Sequence, residues 1–153
     1  MSIRLSPDEA WEVLERSHTG ILTTLRRDGS PITLPIWYVA LDRTICFVAP
    51  SKTKKISRIR HDPRASFLVE AGERWAELRA VHLTGAITEV LDDAAKAEID
   101  AALDAKYGAF KTARSEMSDA TRDVYANQVF FRLVPASRIL TWDNRRLELN
   151  AKT

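Results

Sequence analysis

GILTTLRRDGSPITLPIWY, residues 20–38, is the stretch of sequence that decides the fold. Residues 20–25 are rich in β-forming side chains, and the dipeptide Asp28-Gly29 that follows them is typical of a tight hairpin turn. From residue 31 to residue 40 the side chains alternate between two faces, as they do along a strand. This stretch therefore predicts two antiparallel strands joined by a short turn.

Outward from the hairpin, the chain predicts further short strands with helices between them. A capping signature at Ser6-Pro7-Asp8-Glu9 begins one helix, and apolar spacing predicts another at residues 92–106. The other predicted strands are residues 44–49, 65–70, 77–90 and 129–142, and the other predicted helices are residues 52–61 and 118–126. Six strands at short intervals, with helices packed outside, predict a small closed antiparallel barrel in one domain, residues 1–153.

Composition and charge exclude several classes of protein. The chain has 153 residues, a net charge of +2 and 45% apolar residues. No run of about 18 apolar residues, the length that spans a membrane, occurs in it. Its single cysteine, Cys46, allows no disulfide bond within the chain. We therefore expect a cytoplasmic protein without membrane contact.

Motifs for metal and nucleotide chemistry are missing from the sequence. The five glycines form neither a dinucleotide-binding motif nor a phosphate-binding loop motif. The histidines His18, His61 and His82 have no metal-ligand spacing with cysteine or acidic residues. The sequence thus predicts no metal site, and it assigns no catalytic residue.

The first candidate binding feature is the segment PITLPIWY, residues 31–38. Pro35 has no N–H to donate to a neighbouring strand, so it marks an edge, a bulge or a ligand-facing stretch. Trp37 follows on the same face of the strand. The segment is either an edge strand with a core tryptophan or a strand whose free backbone groups and aromatic wall receive a flat heterocycle.

The second feature is a basic segment after the third predicted strand. Residues 51–64 contain six basic residues and one acid, Asp62. The basic residues are Lys52, Lys54, Lys55, Arg58, Arg60 and Arg64. Early helical N–H groups, a hydroxyl and clustered ammonium groups together form an anion site. The alternative interpretation is a solvated basic face.

The third feature is LTWDNRRL, residues 140–147, at the end of the last predicted strand. A tryptophan and two arginines in this position can pack on a ring and bind acidic groups. The same side chains are equally typical of a dimer contact.

In this order, the three features resemble the pyridoxamine 5'-phosphate oxidase-like superfamily, and most closely its small flavin- or deazaflavin-dependent oxidoreductases. The resemblance covers residues 14–147 and rests on GILTTLRRDGSPITLPIWY, SKTKKISRIRHDPRASFLVE and LTWDNRRL. It implies the FMN-binding split barrel, here a mainly β, six-stranded antiparallel split β-barrel with peripheral helices. Only WDNRRLELNAKT stands where true pyridoxamine phosphate oxidases bind the vitamin phosphate, so pyridoxamine phosphate is not the expected substrate.

The resemblance also implies where a cofactor ring lies. The strand around Pro35, Ile36 and Trp37 would lie along the ring of the flavin or deazaflavin. Trp142 and Arg145 match a segment that commonly reaches the cofactor from the partner subunit. Members of the family are homodimers with two sites at the interface, so the resemblance implies a homodimer here.

The phosphate position follows from the resemblance in the same way. Thr53, Lys54 and Lys55 match the family's phosphate-binding stretch, with Lys55 the best match and Lys52 assisting. FMN and the deazaflavin coenzyme F-420 both present a tricyclic ring and a phosphate. The longer acidic tail of coenzyme F-420 suits the basic segment better, and we favour it over FMN.

The resulting hypothesis is an oxidoreductase that transfers a hydride to a small, electron-poor organic substrate, with the chemistry carried by the cofactor. Tyr38, or a water held near Trp37, is a candidate proton source.

Two other classes of function remain. One is a non-enzymatic split-barrel protein that binds a flavin or a haem, for which His18, His61 or His82 would be the axial ligand. The other is a nucleic-acid binder, which requires aromatic residues among the basic ones. The basic segment contains no aromatic residue, so we expect no nucleic-acid partner.

Overall fold

A computed structural model of the chain describes residues 2–148, in which seven strands and four α-helices occur. The strands are β1 (Gly20–Leu25), β2 (Pro31–Ile36), β3 (Val39–Leu41), β4 (Thr44–Pro50), β5 (Arg64–Ala71), β6 (Arg79–Glu89) and β7 (Gln128–Asp143). The helices are α1 (Pro7–Arg16), α2 (Lys54–His61), α3 (Asp93–Tyr107) and α4 (Asp119–Tyr125). The prediction of a mainly β fold with peripheral helices is confirmed. Within residues 2–148, none of the helices is both long and apolar enough to cross a bilayer.

Local capping groups start the two longest helices where the sequence predicts. At α1, the Ser6 hydroxyl accepts a hydrogen bond from the Glu9 N–H (3.3 Å), and the Glu9 carboxylate accepts one from the Ser6 N–H (2.7 Å). At α3, the Asp92 carboxylate accepts a hydrogen bond from the Ala95 N–H (2.8 Å). These bonds satisfy N–H groups that have no partner inside the helix.

The strands form one antiparallel sheet in the order β2-β1-β5-β6-β7-β4-β3. Its two edge strands, β2 and β3, are separated in the chain only by Trp37 and Tyr38. Because three consecutive Cα–Cα steps span at most about 11 Å, the two edges must approach each other, and the sheet rolls into a split barrel. One strand was predicted over residues 31–40; its interruption at Trp37 and Tyr38 gives seven strands instead of six.

Two apolar clusters lie on opposite faces of the sheet. Along β4, the side chains of Ile45 and Phe47 point into the barrel, whereas Cys46 points outward. The outer cluster packs α3 against β3 and β4 and contains Val39, Cys46, Val90, Ile99, Leu103 and Tyr107. The last turn of α3 is thereby fixed beside the β2–β3 break, where the candidate site begins.

Candidate functional site

β2 is an edge strand, as one interpretation of Pro35 predicts, and its prolines determine what the free edge offers. The Arg26 N–H donates to the Ser30 carbonyl (2.9 Å), so residues 26 and 30 form a hydrogen-bonded pair. By alternation, Pro31, Thr33 and Pro35 direct their backbone groups away from β1. The free edge therefore presents three carbonyl groups but a single N–H, that of Thr33.

The break between β2 and β3 is held by Tyr107 at the end of α3. The Tyr107 hydroxyl accepts a hydrogen bond from the Tyr38 N–H (2.9 Å) and donates one to the His18 carbonyl (2.6 Å). The Trp37 ring stacks on the buried Tyr107 ring, with centroids 4.4 Å apart and 3° between the planes. Trp37 is 40% exposed, so β2 is not an edge strand with a core tryptophan.

Two more aromatic rings extend this stack at the surface. The His18 ring meets Trp37 edge-on at 5.8 Å and Phe110 at 4.8 Å, and Phe110 is 63% exposed. We call His18, Trp37, Tyr107 and Phe110 the aromatic shelf. Sequence reasoning named Trp37 but missed the role of the other three, because no local pattern relates residues so far apart in the chain.

The structure separates the three residues that were predicted to lie along a ring. Pro35 is exposed on β2, Trp37 lies on the aromatic shelf, and the Ile36 side chain is buried in the barrel core. The Ile36 side chain is therefore not available to a ligand.

Tyr38 is placed in the core and not in a position to supply a proton. Its side chain is fully buried, and its hydroxyl donates to the Leu14 carbonyl at 2.5 Å. Burial raises the pKa of the Tyr38 hydroxyl. The hypothesis that Tyr38 is a proton source is therefore wrong.

Lys106 is a further residue whose role sequence reasoning missed. Its ammonium donates to the Tyr38 carbonyl (3.0 Å) and lies 3.9 Å from the centroid of the Tyr38 ring. Burial lowers the pKa of Lys106 to about 8. Lys106 and Tyr107 together pair the backbone groups of Tyr38 that leave the strand ladder.

The basic segment, residues 51–64, comprises the loop after β4, the whole of α2 and the first residue of β5. Thr53 occupies the N-cap position of α2, but its hydroxyl donates to the Pro50 carbonyl (2.9 Å) and makes no capping bond. Lys54 and Lys55 lie in the first helical turn, where a positive charge opposes the helix dipole. The first N–H groups of α2 are therefore left for another acceptor, beside two cations.

Ion pairs divide the basic segment into neutralised and unneutralised charges. Arg60 pairs with Glu89 at 2.9 Å, and Arg64 pairs with Asp62 at 2.8 Å. Residues 2–148 provide no acidic partner for the other four basic side chains of the segment. These four are Lys52, Lys54, Lys55 and Arg58.

Lys55 is distinguished among these four by burial. It is half-buried, and burial together with the charge of Arg58 lowers the pKa of its ammonium. Arg58 in turn reaches the Thr24 hydroxyl of β1 through Nε at 3.4 Å. Since Thr24 pairs with Ile32 of β2, the unneutralised cations are neighbours of the β1–β2 hairpin.

A cavity of about 460 Å³ lies between α2 and the turn of this hairpin. Lys52, Thr53 and His61 line it from α2 and the residues before it, and Arg27 lines it from the hairpin. Arg27 was not among the predicted site residues, because it lies in the β1–β2 turn, far from the basic segment in sequence. The cavity wall thus carries positive charge from two separate elements.

The third sequence feature lies far from the basic segment within one chain. Gln128, at the start of β7, pairs with Pro50, whereas Trp142 is near the other end of the same strand. Of the 14 residue steps from 128 to 142, two are taken up by a bulge, and the remaining 12 correspond to at most about 40 Å along the strand. Arg145 is bound by Asp143 through two hydrogen bonds of 2.8 and 2.6 Å, which lower the pKa of the Asp143 carboxyl.

Comparison with protein families gives one extended match. Residues 6–136 match the sequence model of the family described as pyridoxamine 5'-phosphate oxidase. No curated protein matches the sequence.

Among solved structures, a conserved hypothetical protein from Mycobacterium tuberculosis is 29% identical with a TM-score of 0.82, over 99% of this chain and 93% of that one.

Other solved structures share the fold at lower identity. A FAD-binding protein from Mesorhizobium loti is 22% identical (TM-score 0.68, 88% of this chain, 92% of that one). A structure described as an F420 reductase is 21% identical (TM-score 0.67, 88% and 98%). A heme storage protein from Vibrio cholerae is 15% identical (TM-score 0.68, 93% and 96%). Proteins with this fold thus include a FAD-binding protein, a protein described as an F420 reductase and a heme storage protein.

Proposed function

The chain belongs to the pyridoxamine 5'-phosphate oxidase family, and from this premise we propose that it is an oxidoreductase that uses a flavin or a deazaflavin. In this proposal the protein binds FMN or coenzyme F-420 and transfers a hydride to a small organic substrate.

The unneutralised charge at the β4–α2 junction is the observation that carries the proposal. Half-buried Lys55 and its neighbour Arg58 have no acidic partner in residues 2–148, and they lie beside the open N-terminus of α2. Burying a cation without an anion is unfavourable, so an anion bound from solvent stabilises this arrangement. A phosphate group satisfies the N–H groups and the ammonium groups together.

β2 and the aromatic shelf provide the surface for a planar ring. Pro35 and Thr33 present carbonyl groups and one N–H along an unpaired edge, and Trp37 presents an exposed aromatic ring beyond them. Apolar walls with a few fixed polar groups are typical of cofactor sites. When bound, the flavin or deazaflavin supplies the hydride chemistry, and the protein orients the ring and excludes water.

The charge around the loop favours coenzyme F-420 over FMN. Besides the Lys55 and Arg58 pair, Arg27 and Lys52 line the neighbouring cavity of about 460 Å³. A second group of cations beyond the phosphate position suits a ligand with more than one anionic group. FMN, with a single phosphate, requires only one of these two groups of cations.

We extend the proposal to a homodimer. Trp142 lies near the end of β7 opposite to the residue that pairs with Pro50, so a second copy would bring it to the basic segment of its partner. The Cα partners Ile21, Leu68, His82 and Leu140 form a row across four strands, and Leu140 is 57% exposed. This partly apolar row next to Trp142 supports a contact between two sheets.

Titration with FMN and with coenzyme F-420, followed by tryptophan fluorescence, tests the proposal. One of the two should bind with a dissociation constant of about 1 μM or lower, a typical affinity for a specific ligand. Lys55→Ala should weaken that binding by about 1.5–3 kcal/mol, the range for a hydrogen bond to a charged group. Lys96→Ala, on α3, is the control and should leave the affinity unchanged.

Absence of binding by both cofactors would contradict the proposal, and equal effects of the two lysine variants would remove Lys55 from the phosphate position.

The second candidate function is heme binding, favoured by His18, an exposed imidazole within the aromatic shelf. It requires that added hemin gives a Soret shift that His18→Ala abolishes.

A further inference from the structure

A second cavity, of about 570 Å³, lies between α1, the β3–β4 turn and the later part of β7. Its volume is within the range of sites for small organic molecules, about 300–1,000 Å³. It adjoins Thr44, the first residue of β4, whereas the basic segment follows Pro50, the last. The six residue steps between them correspond to about 20 Å, so this cavity is separate from the proposed phosphate position.

The cavity exists because β7 is unpaired on one side. Its pairing with β4 ends at Leu133, opposite Ile45. The N-terminal segment reaches β7 only further along, where the Leu5 N–H donates to the Thr141 hydroxyl (2.9 Å). Between these points, in the part of the chain that the structure describes, no strand covers this side of residues 134–140.

A bulge shapes the uncovered part of β7. Leu83 pairs with Ile139 and Gly85 with Pro135, so β7 uses four residue steps where β6 uses two. A Cβ on Gly85 would lie 2.0 Å from the Val134 carbonyl oxygen, so the close approach that anchors this bulge requires glycine. The two extra residues bend the strand, and bulges of this kind re-aim side chains at sites.

The lining combines an apolar surface with one unpartnered cation. Trp11, Leu5 and Ile139 provide apolar side chains, and Val134 adds another that is 46% exposed. Arg138 also lines the cavity, and its guanidinium forms no ion pair with an acidic side chain among residues 2–148.

The other arginine of the lining, Arg43, is paired with Asp8, which leaves Arg138 as the cation available to a ligand. We propose that this cavity binds a small amphipathic organic anion, with its apolar body against Trp11 and its carboxylate or sulfonate on Arg138. A planar guanidinium is suited to such groups because it can donate two parallel hydrogen bonds.

Two fluorescent probes that share one apolar body separate the role of charge from that of the apolar surface. 8-Anilinonaphthalene-1-sulfonate carries a sulfonate, and N-phenyl-1-naphthylamine carries no charge. We expect the folded protein to bind the sulfonate at least about tenfold more tightly, the scale of one charge-assisted hydrogen bond. Arg138→Gln should reduce the two affinities to similar values, and Ala136→Phe, which fills the cavity, should weaken both.

Arg114→Gln, which removes an exposed arginine elsewhere, is the matched control and should change neither affinity. Equal affinities for the two probes, or sulfonate binding that survives both cavity variants, would overturn the proposal. Displacement of the sulfonate probe by FMN or coenzyme F-420 would overturn the separateness of the cavity. Ala136→Phe should leave the affinity for the cofactor unchanged. Measuring cofactor binding with this variant therefore distinguishes a failure of this proposal from a failure of the proposed function.

Discussion

The β4–α2 junction and the β2–β3 break are both short irregular segments at the surface of the barrel, but they treat their polar groups in opposite ways. At the break, Tyr107 and Lys106 pair the backbone groups of Tyr38 that the strand ladder leaves unpaired. At the junction, Lys55 has no acidic partner in residues 2–148, and Thr53 does not cap the helix that it begins.

This difference separates architecture from binding. A segment whose polar groups are all paired within the chain adds to stability, because leaving them unpaired costs free energy on burial. A segment that keeps cations and helical N–H groups unpaired gives up stability and gains an anion site. Substitutions of the side chains that pair the Tyr38 backbone should therefore change mainly folding, and substitutions at the junction should change mainly binding.

The largest effect on stability is expected from Tyr107→Phe. The variant keeps the ring stacked on Trp37 but leaves the Tyr38 N–H and the His18 carbonyl without their partner. We expect a loss of about 2–3 kcal/mol in the free energy of unfolding, measured by urea denaturation. Tyr125→Phe, at a tyrosine that is 49% exposed, is the control. Similar losses in the two variants would mean that the break does not depend on Tyr107.

A smaller effect of opposite sign is expected from Lys54→Glu. A carboxylate in the first turn of α2 favours the helix dipole that the lysine opposes, so stability should rise by about 0.5–1 kcal/mol. Cofactor affinity should fall, because a negative charge then faces the phosphate position. Lys96→Glu, the same change of charge near the start of α3, is the control and should leave the affinity unchanged. If both variants lose affinity, the loss reflects the net charge of the protein and not the position of Lys54.

The last expected effect is a pH dependence due to Lys106, which solvent screening reduces because the side chain is only partly buried. Its pKa is about 8 in the folded protein and 10.5 in the reference state, so between these values the unfolded chain binds more protons. Lys106 should therefore make stability rise with pH above about 8. Urea denaturation of wild type and Lys106→Met between about pH 8 and pH 9.5 isolates this contribution, because tyrosines titrate higher. If the free energy of unfolding changes with pH in the same way in both proteins, the contribution of Lys106 is contradicted.

The parts of the fold that the sequence predicted well depend on neighbours in the chain. Ser6 and Glu9 cap α1 through residues three apart, and the Asp28-Gly29 turn places Gly29 at a positive φ of 82°. The basic segment was also evident, since its charges are consecutive. The sequence did not show which of these charges are neutralised, because the partner of Arg60 on α2 is Glu89, 29 residues away on β6.

By itself, then, the sequence determined most of the strand and helix order and the concentration of positive charge in residues 51–64, and it left an edge position for β2 as one of three alternatives. These follow from alternation, proline chemistry and capping, which act over a few residues. Only the tertiary structure decided that β2 and β3 are separate strands, that Tyr38 is buried, and that the aromatic shelf and the second cavity exist. Each of these depends on groups brought together from distant parts of the chain. The hydrogen bond from the Tyr38 N–H to the Tyr107 hydroxyl is an example, because no pattern of neighbouring residues predicts it.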